Sequence, residues 1–223
     1  MKMRRIVEIR AAEGGEDSKL FTKDLAQAYQ RLADRKGWKH HPLESTFGQF
    51  IEIEGEDLTG LNNEPGGHRL QRIPPTERKG RVHTSTVTVA IIDPTEKVEE
   101  YPDSDFKIEW YSGTGAGGQF RNKHQNSCRI THIPTGKVAT AQHRSRQNSL
   151  DSAKCNLVSL LQEQNKQKRN FEVSSIRKEQ VGSGMRGDKI RTYRMQDDIV
   201  KDHITGKSAS VEKVLKGNFD LLW

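Results

Sequence analysis

The segment GTGAGGQF, residues 113–120, carries four glycines in eight positions and closes on Gln119 and Phe120. Glycines in series let a backbone take positive φ and approach another molecule with no Cβ in the way. A backbone N–H delivered in that manner can stabilise a developing oxyanion, often the largest single contribution to acyl transfer. The amide of Gln119 only donates and accepts hydrogen bonds, so such a tip positions and stabilises but does not attack. Phosphate-binding loops need Gly-Lys-Ser/Thr, whereas Gly118 is followed by Gln119, and the segment opens into no apolar helix of the kind a dinucleotide fingerprint requires. Ser112, His124 and Asp151 occur nearby without triad spacing or a nucleophile elbow. The remainder of any reaction centre must then come from a second molecule. Arg121, Lys123, Arg129, Arg144 and Arg146 flank the tip on both sides and are suited to RNA phosphates.

The charge distribution points the same way. The 223 residues carry a formal charge of +7, yet Lys107 to Gln180 hold 13 Lys and Arg against 5 Asp and Glu, so this stretch is +8 and the rest is −1. A locally basic segment suggests a polyanionic partner. A hydrophobic content of 32% and a mean hydropathy of −0.86 argue against one large shared core. Cys128 and Cys155 lie too far apart for a CxxC element and match neither a disulfide framework nor a zinc site, so both are expected as free thiols. With no long apolar run and no signal-peptide pattern in MKMRRIVEIR, a cytoplasmic location is expected, with no membrane association.

The elements that must hold these residues follow from periodicity. Residues 6–11 predict a strand. A helix capped at Asp17 or Ser18 and ending at Gly37 follows, with Phe21, Leu25, Ala28 and Leu32 on its buried face. FGQFIEIEG and RVHTSTVTVAIID predict strands, separated by a loop region holding Gly66, Gly67, Pro74 and Pro75. The acidic EKVEEYPDSD, 96–105, is a candidate linker. Beyond it come a strand at DFKIEWYS, the glycine loop, a hairpin with strands at 127–133 and 137–142, and a helix from about Ser149 with Leu150, Ala153, Leu157, Leu160 and Leu161 on one face. The closing 40 or so residues are too few to stand alone and are expected to pack on the first domain.

GAGGQ followed by RNK, the hairpin CRITHIPTGKVATAQ and the downstream RSRQN resemble the catalytic domain of bacterial class I peptide-chain release factors. EIRAAEGGED, EPGGHRLQRIPPTERKGRVHTSTVTVA and VGSGMRGDKIRTY with VKDH extend that resemblance along nearly the whole chain. It implies a multidomain α+β fold. A codon-recognition domain at 1–101 and a closing segment at 179–223 would pack together, with a separate basic peptidyl-tRNA hydrolysis domain at 102–178. It also implies translation termination on UAA and UAG, because the type 1 Pro-x-Thr stands here as Pro74-Pro75-Thr76, where type 2 members carry Ser-Pro-Phe.

Carried onto this sequence, Gly117 and Gly118 shape the tip. The Gln119 backbone N–H stabilises the tetrahedral state or the leaving hydroxyl, and its side chain admits water and is a site of N5-methylation. Gly15 and Glu16 face the first base of the codon, Thr76 supplies a hydroxyl to base edges, His83 stacks between the second and third bases with Thr84 beside it, and Gln71 contacts the third. The implied partners are the ribosomal RNA of both subunits, the mRNA stop codon and P-site peptidyl-tRNA, with a glutamine methyltransferase and a class II release factor as further candidates. A monomer is expected, with no cofactor and no metal, and hydrolysis would occur only together with the ribosomal peptidyl transferase centre. Phe120-Arg121 departs from the family's small residue or His followed by Val, and AAEGG lacks its usual Thr. The resemblance starts where the family's second domain starts, so a short form without the N-terminal helical domain is expected. The alternative function is a codon-independent rescue hydrolase for stalled ribosomes.

Overall fold

The computed structural model describes residues 2–94, 100–115 and 118–223, with the backbone alone at Phe120 and Arg121. The chain divides into two compact units, one made of Met1–Thr95 with Val173–Trp223, the other of Glu96–Glu172.

The first unit is a sheet with a helix on one face. Its strands are β1 (Met3–Ala11), β2 (Lys39–Leu43), β3 (Gln49–Gly55), β4 (Gly66–Arg72) and β5 (His83–Ile92), with β9 (Arg191–Arg194), β10 (Ile199–Asp202) and β11 (Ser208–Ala209) from the closing segment. They lie in the order β11-β10-β9-β4-β5-β1-β3-β2, with β4 and β9 parallel and every other pair antiparallel. The closing segment therefore extends the same sheet, as its small size demands.

Helix α1 (Gly15–Lys36) seals one face. Phe21, Leu25, Ala28 and Leu32 recur on one side of it and are buried against Val7, Ile9, Ile51, Ile53, Leu70, Val87 and Val89, joined by Tyr193, Val200 and, from α4 (Val211–Leu215), Val211 and Val214. Alternation along the strands supplies the other half of this core, each full burial of a Leu or Phe contributing roughly 1.5–3 kcal/mol.

The structure departs from the sequence expectation at two places in this unit. The helix starts earlier than the polar pair suggested: Gly14, at φ 130, is the N-cap, and Asp17 and Ser18 are buried inside the first turns. The glycine-containing stretch expected as loop is strand β4. Gly67 is needed there for close approach, since a Cβ would stand 2.3 Å from the Asp188 carbonyl oxygen. That is a packing requirement of the strand and not a turn signal.

Tyr29, Glu64, His68, Arg191 and Asp202 form a buried polar network that fastens the closing segment. The Arg191 guanidinium donates to Glu64 at 2.7 Å and to Asp202 at 2.9 and 3.1 Å, while Tyr29 Oη donates to Glu64 at 2.7 Å and Trp223 Nε1 donates to it at 2.6 Å. The Arg191 and Glu64 side chains are fully buried, so each needs the other to remain charged.

The second unit has the antiparallel sheet β6-β7-β8, from β6 (Phe106–Tyr111), β7 (Ser127–His132) and β8 (Lys137–Gln142), closed by α3 (Arg146–Val181) up to Glu172. Cys128, Ile130, Ala139, Ala141, Ala153, Leu157 and Leu161 make its core. Leu160, expected on the buried face, is 47% exposed, because the apolar stripe is narrow and passes through Leu157 and Leu161. A five-residue helix, α2 (Gln119–Lys123), follows the glycine loop directly, where a plain loop was expected.

Candidate functional site

The candidate codon-reading residues gather at one end of the first unit. Antiparallel pairing of β4 and β5 sets Gln71 opposite Thr84 and Arg72 opposite His83. Successive strand residues face opposite sides, so Arg72 and His83 lie on the face covered by α1, and Gln71 and Thr84 on the other. The hairpin between these strands carries Pro74, which is buried, and Pro75 and Thr76, which are exposed. A hydrogen bond of 3.0 Å from the Glu77 N–H to the Pro74 carbonyl closes the turn around Pro75 and Thr76.

Glu77 organises the remainder of that hairpin. It accepts from the Lys79 N–H at 2.7 Å and from Arg81 at 3.1 Å, and its Oε2 is 2.7 Å from His83 Nε2. The Lys79 N–H, with help from Arg81 and His83, holds its carboxyl below the ordinary carboxylate range. A fixed anion thus holds the His83 ring by Nε2 on a hairpin whose other side chains are mostly exposed.

The start of α1 is brought to the same end. Asp17, 2% exposed, accepts from Arg72 Nε at 2.8 Å and from the Ser85 hydroxyl at 2.8 Å, and Arg72 also donates to Asp24 at 3.0 Å. Gly14 packs so closely on β5 that an added Cβ would meet Ser85 Oγ at 2.6 Å, whereas Gly15, at φ +61, faces open space. Gly15 and Glu16 are exposed at the helix tip, Glu16 paired to Lys19 at 2.7 Å. The structure brings the helix tip, the Pro74–Glu77 turn and the Gln71–Thr84 pair to one edge. Asp17, Arg72, Ser85 and Glu77 do this holding; Asp17 was expected only as a helix cap, and the other three were not singled out in the sequence. The available signal was an acidic residue in the first helical turn and an arginine beside a candidate base reader.

In the second unit the glycine loop leaves β6 and is anchored by Gln142 at the end of β8. The Gln142 amide accepts from the Thr114 N–H at 3.3 Å and donates to Tyr111 Oη at 3.3 Å and to Thr114 Oγ1 at 3.4 Å. Gly118 and Gln119 are exposed, Gln119 as the first residue of α2. Gly117, the remaining member of the candidate catalytic group, lies outside the described residues.

Of the candidate phosphate-binding residues, Lys123, Arg129, Arg144 and Arg146 are exposed. The Arg146 guanidinium lies 4.1 Å above the Trp110 ring and that of Arg129 5.9 Å above Tyr111, contacts that orient a cation without consuming its in-plane donors. Asn126 Nδ2 donates to the Arg144 carbonyl at 2.9 Å, beside a cavity of about 250 Å³ lined by Gly113, His124, Asn126, Ser127, Gln142 and Arg144. The side chain of Arg121 lies outside the description. Asp151, weighed for a triad, accepts from Gln147 on its own helix at 2.9 Å. Among the described residues no group of three or more His, Cys, Asp or Glu could hold a metal ion, and no helix is long and apolar enough to cross a membrane.

A sheet unit with exposed polar residues gathered at one edge, together with a second, basic unit bearing an exposed glycine–glutamine tip, makes a two-module α+β protein. Residues 2–89 match the PCRF domain and residues 95–204 the RF-1 domain. The chain belongs to the peptide-chain release factor family. Relatives called peptide chain release factor 1 are 42% identical in Carboxydothermus hydrogenoformans and 44% identical in Malacoplasma penetrans, each over 96% of this chain and 63% and 62% of the relative. The chain thus spans somewhat under two thirds of the length of these relatives. Among solved structures, RF2 of Thermus thermophilus superposes with a TM-score of 0.54 at 29% identity, covering 99% of this chain and 66% of that one.

Proposed function

We propose that this chain terminates translation: it recognises UAA and UAG in the ribosomal A site and promotes hydrolysis of the peptidyl-tRNA ester. What carries the reading is the convergence at one edge of the first unit of Gly15, Glu16, Gln71, the Pro74-Pro75-Thr76 turn, His83 and Thr84, in a chain of the release factor family. Gly15 and Glu16 meet the first base, the Thr76 hydroxyl serves as donor and acceptor to base edges, His83 stacks between the second and third bases, and Gln71 and Thr84 take the third. The register supports a split codon, since the residues for the third base lie on the sheet face opposite His83.

In the second unit, Gly117 and Gly118 let the tip approach the ester, and the Gln119 N–H donates to the oxygen that gains charge. Water adds to the ester carbonyl carbon, the bond to the tRNA 3′ oxygen breaks, and a proton from the water ends on that oxygen. The Gln119 side chain shapes the space so that water enters and larger nucleophiles do not, and its amide nitrogen is the candidate site for a methyltransferase. Arg121, Lys123, Arg129, Arg144 and Arg146 neutralise RNA phosphates around the tip. On this reading the work divides among 1–101 for the codon, 102–178 for hydrolysis and 179–223 as support. The chain acts in the cytoplasm as a monomer with ribosomal RNA, mRNA and peptidyl-tRNA as partners, a class II release factor as a further one, and neither metal nor cofactor of its own.

The test is peptide release from ribosomes carrying UAA, UAG, UGA or a sense codon in the A site. Release on UAA and UAG alone is expected, and equal release on sense codons would sink codon recognition in favour of rescue. At the tip, Gly118→Ala and Gln119→Pro should abolish release while ribosome binding persists. A Cβ at Gly118 meets nothing within 4 Å in the free chain, so lost release by Gly118→Ala with an unchanged melting temperature would locate the defect in the bound complex.

A further inference from the structure

The sheet face away from α1 carries a cluster of cations that the functions above do not use. The last turns of α3 cover this face over β1 and β5, where Arg177 grips Glu8 at 2.5 and 2.7 Å and the Gln180 amide bridges the Ile91 N–H and carbonyl at 2.8 and 2.9 Å. Over β4, β9 and β10 the register aligns Arg69 with Thr192 and Thr192 with Lys201, and sets Arg194 beside Gln71. Leu70, Tyr193 and Val200, the alternate residues, are in the core, which turns Arg69, Arg194 and Lys201 to the opposite face. His203 joins them through a 2.8 Å contact of its Nε2 with Thr192 Oγ1.

Among the described residues Arg69, Lys189, Arg194 and Lys201 make no ion pair. Arg69 Nε is buried and finds no acceptor. Burial, then the nearby Arg194, pulls the Arg69 guanidinium below its ordinary range, and burial together with Lys189, Lys201 and Arg69 does the same to the His203 ring. Clustered like charges raise the energy of the free protein, and an incoming anion relieves that cost.

We infer that Arg69, Arg194 and Lys201 bind the phosphates of the mRNA nucleotides that follow the stop codon on its 3′ side. This rests on the codon reading proposed above, in which Gln71 and Thr84 take the third base. Those two residues share the face of the cluster, and β9 and β10 continue outward from Gln71 in steps of about 4.8 Å. A strand whose first two bases lie on the α1 face and whose third lies against Gln71 continues, in the 3′ direction, over Arg194 and then Lys201. Phosphate contacts of this kind are blind to sequence and add affinity that salt weakens.

The chain is bound to stop-programmed ribosomes whose mRNA either ends at the third codon nucleotide or runs six nucleotides further. Wild-type protein is expected to bind the longer complex roughly tenfold more tightly, and the triple variant Arg69→Gln/Arg194→Gln/Lys201→Gln to lose that gain while matching wild type on the short one. The salt dependence on the longer mRNA should flatten by about two units in the log–log slope, from about 0.7 per phosphate. Arg194→Gln/Lys201→Gln, both at exposed positions, provides a second variant if the triple variant folds poorly, with a smaller loss of the same kind. Equal weakening on both mRNAs, which means contact with ribosomal RNA, or no weakening on either, overturns the inference. Because mRNA length is read by binding and codon choice by release, each proposal can fail without the other.

Discussion

At the scale of single residues, Glu77 matters more than its place in an exposed hairpin suggests. Its carboxylate is the only acceptor shown for His83 Nε2 among the described residues, and it also collects Lys79 and Arg81. Glu77→Gln keeps the shape but removes the charge that fixes the ring. We expect apparent affinity for UAA-programmed ribosomes to fall by roughly tenfold, in line with loss of a charged hydrogen bond, while the maximal release rate changes little. Steady-state release kinetics separate the two, and 15N shifts of the His83 ring in the free chain should report the lost Nε2 partner. Unchanged kinetics and shifts would remove Glu77 from the site.

At the scale of elements, the start of α1 depends on strand β4 through Asp17 and Arg72. Arg72→Ala would leave the buried Asp17 carboxylate with Ser85 alone, which should destabilise the first unit by about 3 kcal/mol. Denaturant unfolding measures that loss, and faster amide exchange in the first turn of α1 should accompany it. The sequence made α1 legible because Phe21, Leu25, Ala28 and Leu32 keep a helical period, and β5 because its β-branched run is nearly continuous. It hid β4, whose Gly66 and Gly67 are set by the Ile190 side chain and the Asp188 carbonyl far along the chain, and it hid the holding role of Asp17, whose partner Arg72 lies on that unseen strand. The candidate base readers were legible through resemblance alone. Their division between the two faces of the sheet needed the register.

At the scale of the whole chain, the buried network around Arg191 ties stability to pH. His68 donates from Nε2 to the Glu64 carbonyl at 2.9 Å, so its Nδ1, 3.1 Å away from Tyr193 Oη, accepts from that hydroxyl and the ring is neutral. Burial lowers its pKa from 6.5 to about 4. The unfolded chain then takes up a proton that the folded chain refuses, so stability falls as pH drops from about 6.5 towards 4, by up to about 3 kcal/mol. Glu64 and Asp202, held below the ordinary carboxylate range, add acid sensitivity at lower pH. Urea melts between pH 7 and 4.5 should show the slope, and His68→Asn should flatten it. An unaltered slope in that variant would assign the acid sensitivity elsewhere.

The parallel pairing of β4 with β9 joins strands separated in sequence by the entire second unit. During synthesis β4 leaves the exit tunnel with one edge bare and waits for β9 until the intervening unit has been made. Such long-range pairing slows folding and leaves a sticky edge in the interval. A nascent chain halted after residue 95 should therefore recruit chaperones or aggregate, whereas one completed through β10 should resist protease. On this account a protein proposed to end the making of other chains can complete its own first sheet only after its entire second unit has been made.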